Sequence, residues 1–194
     1  MKKLILLLAV SMISLPLMQA QEFFKMGAKA GVNFANLVGD SEDAKMRTSY
    51  HLGIVAEIPI SEKFSFGPEV LYSSQGAKFT EDGIEGSFKL DYVQVPLMLK
   101  YYAGPGFSLE AGPQIGFLAS SEVEAEGVSV DTEDYFSSTD FGVNFGLGYK
   151  FVNGLFLQGR YNLGLSNIWD SNEFESDDSK IKNSVIQFSV GYMF

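Results

Sequence analysis

The chain has 194 residues, a formal net charge of −10 and no cysteine. Such acidity excludes nucleic acid as a partner, because binding it needs a basic footprint. The missing cysteine excludes disulfides, thiolate metal sites and a lipidated cysteine at a cleavage point.

A hydrophobic fraction of 46% and 20 glycines accompany that charge, so the apolar and charged residues must be segregated along the chain. Lys2 and Lys3 open a basic start. An apolar run follows from Leu4 to Leu17, interrupted only by Ser11, Ser14 and Pro16, and ends at Met18-Gln19-Ala20. This is the order of a secretory signal peptide, and the run is short for a bilayer-spanning helix. Cleavage after Ala20 is expected, separating a leader, 1–20, from a single domain, 21–194. Lys2 and Lys3 leave with the leader, which takes the net charge from −10 to −12.

Beyond the leader no stretch of helical length has a 3.6-residue period. Eight stretches have a period near two: 26–36, 50–60, 64–75, 88–102, 107–119, 140–151, 155–168 and 184–194. Ser61-Glu62-Lys63 joins the second to the third, Ala103-Gly104-Pro105-Gly106 the fourth to the fifth, and Val152-Asn153-Gly154 the sixth to the seventh. These are tight-turn compositions. The other connections are long: 37–49, 76–87, 120–139 and 169–183. Strict short-long alternation predicts an up-and-down antiparallel meander with every short turn at one end. The long connections, above all Glu122 to Asp134, hold the domain's entire net charge; strands and short turns together are neutral.

Two registers alternate along the stretches. One is apolar, as in Leu52, Ile54, Val93, Leu97, Leu99, Phe145 and Leu147; the other is small or polar, as in Gly31, Asn33, Gln94, Gly112, Gln114, Asn144 and Gln158. A soluble barrel would send the apolar register inward and expose the glycines, which weaken an exposed strand. In a narrow eight-stranded lumen, side chains fill the interior and glycines make room for them. Aromatics near stretch ends, such as Phe64, Tyr101, Phe107 and Phe151, suit the girdles of a membrane barrel. The expected fold is all-β, an eight-stranded antiparallel up-and-down transmembrane β-barrel. Its short turns and both termini would be periplasmic and its acidic loops extracellular. Lys29, Lys100, Lys150 and Arg160 would then share the lumen with Glu57, Glu69 and Glu110. Charges there persist only when paired and hydrogen-bonded, so a salt-bridged, plugged lumen is expected ahead of a polar channel.

Tyr92-Val93-Gln94-Val95-Pro96-Leu97-Met98-Leu99-Lys100-Tyr101 resembles a segment of the small outer-membrane β-barrel proteins labelled "porin family", of the PorT-like type. Ala30-Gly31-Val32-Asn33, Gly67 to Ser73 and Ala111 to Gly116 are similar as well. The resemblance implies a Gram-negative outer-membrane barrel over 26–194 and leaves the function open. It implies no demonstrated pore.

His51 is the only histidine. Ser49 and Asp40 or Asp43 lie near it in sequence, but a triad is defined by geometry, not by sequence distance. His51 is in the inward register and is expected to be a hydrogen-bonding rim residue. No enzymatic activity is expected. Loop 122–134 is acidic but lacks the spacing of a calcium loop, and 142–148 is Gly-rich without a strand–helix context, so no metal and no cofactor is expected.

The chain ends SVIQFSVGYMF. With Phe188, Val190, Tyr192 and Phe194 in the apolar register, it resembles the C-terminal signal that the barrel-assembly machinery reads. Expected partners are outer-membrane lipid and lipopolysaccharide, the assembly machinery during biogenesis, and an envelope protein at the loops. The expected function is that of a structural or interaction protein of the envelope. The alternatives are a small porin passing ions or small solutes and, behind it, a lipid-modifying enzyme.

Overall fold

Alternation of apolar with small or polar side chains carries the described residues through nine strands. They are β1 (Lys25–Gly39), β2 (Lys45–Pro59), β3 (Phe64–Glu81), β4 (Ile84–Tyr102), β5 (Phe107–Ala125), β6 (Val128–Asp131), β7 (Thr139–Lys150), β8 (Leu155–Gly164) and β9 (Ile181–Met193). This computed structural model describes residues 24–39, 44–81, 84–125, 128–132, 135–169 and 180–194. The expected leader, 1–20, lies outside them.

Every neighbouring pair is antiparallel, and the ring runs β1-β2-β3-β4-β5-β7-β8-β9 and back to β1. Strand β6 is the exception to the expected count of eight. It hangs on the edge of β5 that β7 uses lower down, Glu122 opposite Asp131 and Ala125 opposite Val128. The ring closes along β1 and β9 from Gly27↔Met193 to Gly39↔Ile181, and the amide of Phe194 donates to the carbonyl of Met26 at 2.7 Å. Closure leaves no edge whose backbone groups would face hydrocarbon.

The registers divide as expected. Leu52, Ile54, Leu97, Leu99, Phe145, Leu147, Phe188 and Val190 are exposed on the outside, while Lys29, Asn33, Glu69, Gln94, Glu110, Asn144, Gln158 and Arg160 are buried inside. Aromatic pairs mark the short-turn rim: Phe64–Tyr101 at 5.1 Å, Tyr149–Phe151 at 4.9 Å and Tyr192–Phe194 at 5.7 Å. Tyr50–Tyr72, at 6.2 Å, stands toward the other rim. From Tyr50 to Ile60, roughly ten residues at about 3.3 Å each, tilted by about 40°, rise roughly 25 Å, the height of a membrane barrel's apolar band.

The long connections are shorter than expected because the strands continue past that band. The β3–β4 hairpin pairs out to Glu81↔Ile84, with the rings of Phe79 and Phe88 tilted against each other at 5.0 Å on its inner face. Stretch 155–168 is corrected in the other direction: β8 stops at Gly164. Two bulges reset the register. One lies between Met46 and His51 on the β2–β3 seam. The other leaves Ala119 of β5 without an opposite between Asp91↔Ser120 and Tyr92↔Leu118.

Gly31 shows what the inward glycines do. A Cβ there would collide with the Phe188 carbonyl and stand 2.7 Å from the His51 ring. Gly31→Val is expected to cost about 1–3 kcal/mol by overpacking, read as a lower urea midpoint in detergent micelles. Gly104→Val, in a turn with nothing within 4 Å, is expected to leave the midpoint unchanged.

Candidate functional site

The lumen is layered by chemistry. Its lower half holds charge. Glu69 on β3 accepts two hydrogen bonds from the Arg160 guanidinium, at 2.9 and 2.8 Å, and a third from Lys29 Nζ at 2.7 Å. Gln158 accepts from Lys29 at 2.8 Å and donates to Glu110 at 2.6 Å, so it bridges two charged groups. Arg160 also approaches Glu110 at 3.6 Å. Lys100 stands 3.9 Å from Glu110 and 3.7 Å from Glu57. Glu57 takes hydrogen bonds from Lys150 at 2.5 Å and from the Tyr102 hydroxyl at 3.0 Å.

All seven charged residues expected in the lumen thus meet in one layer. Four cations face three carboxylates, and the surplus sits where water can reach it: the Lys150 side chain is 24% exposed at the short-turn end, 5.0 Å from the Tyr102 ring centroid. Bidentate pairing of Arg160 with Glu69 suits the planar fork of a guanidinium. Gly148 lets the layer pack. A Cβ there would lie 2.6 Å from Glu110 Oε1 and from Ser108 Oγ. Gln158 and Tyr102 are members that residue charge alone did not single out, although both follow the inward register. Met193, which breaks the alternation of the last strand, is buried beside Val55 and Phe156 at this end.

Above the charges lies a layer of neutral polar groups. His51 Nδ1 is 2.7 Å from Asn33 Oδ1, and its Nε2 is 2.7 Å from Ser189 Oγ. Gln187 donates to the same Asn33 oxygen at 3.1 Å. This is the order of a nucleophile, base and orienting group, but the members are Ser189 and Asn33. Ser49 instead donates to the carbonyl of Ser74 at 2.6 Å. Asp40 and Asp43 lie outside the described residues. Asn33, His51 and Ser189 are 0, 1 and 8% exposed. All three are buried, and these hydrogen bonds join strands β1, β2 and β9 inside the lumen.

The long-loop end is apolar. Leu37, Ala77, Leu90, Tyr92, Phe136 and Ile168 form a buried cluster, with Trp169 and Ile181 against it. Phe136 and Ile168 come from connections, not from strands. The two connections run together over the mouth: the Ser137 amide donates to the Ile168 carbonyl at 2.8 Å, Phe136 bridges to Trp169, and their rings meet edge-on at 5.7 Å. Phe136 lies in the connection expected to be an acidic extracellular loop, and the adjacent aromatics Tyr135-Phe136 were its signal in the sequence. Among the described residues no group of three His, Cys, Asp or Glu side chains converges on a metal position.

Phe188, Val190, Tyr192 and Phe194 all point outward and are 48–80% exposed.

A family model described as "Outer membrane protein beta-barrel domain" matches residues 19–170. No curated protein matches the chain. Solved structures do. Neisserial surface protein A is 14% identical, with 87% of this chain and 97% of that one covered and a TM-score of 0.56. The attachment invasion locus protein Ail of Yersinia pestis is 15% identical, with 88% and 98% covered and a TM-score of 0.52. A major outer membrane protein of Thermus thermophilus is 16% identical, with 88% and 99% covered and a TM-score of 0.50. At these identities the likeness is one of fold.

Glu69→Ala would leave Arg160 and Lys29, both buried, without their shared carboxylate. A loss of about 3–5 kcal/mol is expected, measured by urea unfolding of the refolded barrel in micelles. The paired replacement Glu69→Leu with Arg160→Met is expected to lose much less than Glu69→Ala.

Proposed function

The chain belongs to the family of the outer membrane protein beta-barrel domain, and from that premise we propose that it is a structural and interaction protein of the envelope whose lumen is filled. The observation that carries this reading is the stacking of two unlike layers across one narrow lumen. A hydrated ion crossing it would have to break the contacts of Glu69 with Arg160 and Lys29 and then pass the apolar cluster around Phe136 and Ile168. Eight strands leave an interior about as wide as the side chains that occupy it.

The rival reading, a small porin, has one observation in its favour. Among the described residues neither atom of the Gln94 amide has a hydrogen-bond partner, and the side-chain oxygens of Gln75, Asn162 and Asn183 also lack one. Buried polar atoms of this kind are normally met by water. Water held between a charged and an apolar layer is a hydrated core, not a path.

In the proposed orientation the short turns and both termini face the periplasm. The outer surface then offers the protruding β3–β4 and β5–β6 hairpins to an envelope partner or to lipopolysaccharide. Lys89 and Glu124 form an ion pair on adjacent strands there, so the acidic hairpin is partly neutralised on its β4 side. The outward row Phe188, Val190, Tyr192 and Phe194 serves as the recognition element for the assembly machinery. Ser189, His51 and Asn33 serve the core and not lipid chemistry.

Planar-bilayer recording from refolded protein is expected to show no steady conductance; reproducible unitary steps in the unmodified chain would overturn the filled lumen in favour of the porin. Phe194→Asp is expected to lower the amount of heat-modifiable barrel in outer membranes several-fold. Equal amounts of mutant and parent would remove the assembly role of that terminus.

A further inference from the structure

Three of the four long connections sort their charges by position. In 37–49, Asp40, Glu42 and Asp43 come before Lys45 and Arg47. Around 76–87, Lys78 comes before Glu81, Asp82 and Glu85, and Lys89 comes after them. In 169–183, five carboxylates from Asp170 to Asp178 come before Lys180 and Lys182. Each time the acids stand toward the middle of the connection and the cations stand where it joins a strand. Only 120–139 holds no cation.

The strands carry these cations past the apolar band. The β1–β2 register ends at Ala35↔Arg47, and β2 goes on against β3, where Lys45 lies directly opposite Lys78. Residues opposite each other on neighbouring strands share a face, and like charges placed so are destabilising. Both lysines are exposed. Lys45 Nζ donates to the neutral Thr80 hydroxyl at 3.0 Å. Two strands away on β9, Lys182 lies opposite Val38, which is exposed while Leu37 beside it is buried. Among the described residues no carboxylate pairs with Lys45, Lys78 or Lys182. The other cations of this rim are engaged: Arg47 donates to the Gln75 carbonyl at 2.6 Å and to Ser74 Oγ at 3.2 Å, and Lys89 pairs with Glu124. Lys45 comes five residues beyond Tyr50, roughly 13 Å above it at the rise and tilt of a membrane barrel. That level is past the hydrocarbon, on the side of the headgroups, and the flexible stem of a lysine lets its ammonium settle toward them.

We propose that Lys45 and Lys78, with Lys182 beside them, bind the phosphate groups of the lipopolysaccharide that surrounds the barrel. A phosphate between the two opposed ammoniums turns one repulsion into two attractions. A lipid is the source, and not a free ion, because the three cations face outward on neighbouring staves instead of converging on a cavity. An anionic membrane surface attracts basic residues within about a Debye length, and these stand at its edge. The acids, placed by the sequence farther from the strands, are repelled by the same phosphates. The site rests on the orientation proposed above, with the long connections at the cell surface, and is independent of whether the lumen conducts.

The refolded barrel in nonionic detergent is titrated with lipopolysaccharide at low salt while its urea midpoint is followed. A saturable rise is expected, at concentrations that increase with added salt. Lys45→Gln with Lys78→Gln is expected to weaken binding at least tenfold, and Lys45→Arg with Lys78→Arg to keep it. Lys25→Gln with Lys63→Gln removes the same charge from exposed positions at the short-turn end and is expected to change nothing. Equal binding by the parent and the Lys45→Gln, Lys78→Gln variant would overturn the proposal, as would equal binding of dephosphorylated lipopolysaccharide. Inorganic phosphate acting as strongly as the lipid would overturn the lipid source and give the site to a free anion. Orientation is read separately. The chain has no cysteine, so Glu85→Cys offers a single thiol, expected to react on whole cells with a membrane-impermeant maleimide. No reaction would overturn the orientation and this site with it; reaction without lipopolysaccharide binding would overturn the site alone.

Discussion

Glu69 holds Arg160 and Lys29 at once, and much of the barrel is arranged around that fact. A carboxylate on β3, a guanidinium on β8 and an ammonium on β1 meet inside a wall whose outer face is hydrocarbon. None of them can be left alone there, because an unpaired charge in a poorly polarisable interior is far more costly than any single packing contact. The ion pairs therefore act as a register lock. A slip of one residue on any of these strands would turn a charge to lipid and an apolar side chain to the lumen. The glycines of the inward register follow from the same constraint: long polar side chains can cross a narrow lumen only where the facing wall has nothing to put in their way.

Above the charges the interior changes character, and the cause is the outer surroundings. Within the membrane band the outside must be apolar, so the polar half of each alternating strand turns inward. Once strands rise past the band, water is outside, and the usual arrangement of a soluble protein returns: Leu90, Ala77 and Phe88 turn inward, while Lys78 and Thr80 face out. The bulge at Ala119 lies at this transition. It shifts the inward parity of β5 from Leu118 to Ser121, which lets one strand satisfy two solvents. The apolar mouth and the polar lumen are two answers to one rule, that each face matches the medium it meets.

How much of this was legible in the sequence depended on the range of the interaction. Periodicity two and the placing of small turns are local, so the strands, the ring and both faces could be read directly. The seven charged lumen residues could be named because their register and their type agreed. Their partners were not legible, since Lys29 reaches Glu69 and Gln158 across 40 and 129 positions, and alternation gives a face without giving an azimuth around the barrel. His51 makes the point most sharply: its sequence neighbour Ser49 turns to Ser74, while Ser189, 138 positions away, takes its ring nitrogen. The cap was hidden for another reason. Phe136 and Trp169 sit in connections with no period, where composition reports solvation on average and says nothing of a ring that turns back, and Ile168 stood at the end of a periodic stretch that the strand itself does not reach.

The two halves of the wall differ in what holds them, and that difference bears on where the molecule can respond to its surroundings. In the lower half, hydrogen-bonded ladders are continuous around the ring and charged contacts cross the middle, so displacing one stave disturbs several others. In the upper half the β1–β2 ladder has stopped, and the interior is held by packing of Phe136, Trp169 and Ile168 together with a few backbone bonds. Dispersion contacts are individually small and tolerate a change of partner, whereas a buried ion pair does not. A lower half locked by charge beneath an upper half held by packing allows one domain to be rigid where it must hold the membrane and adaptable where its strands rise beyond it.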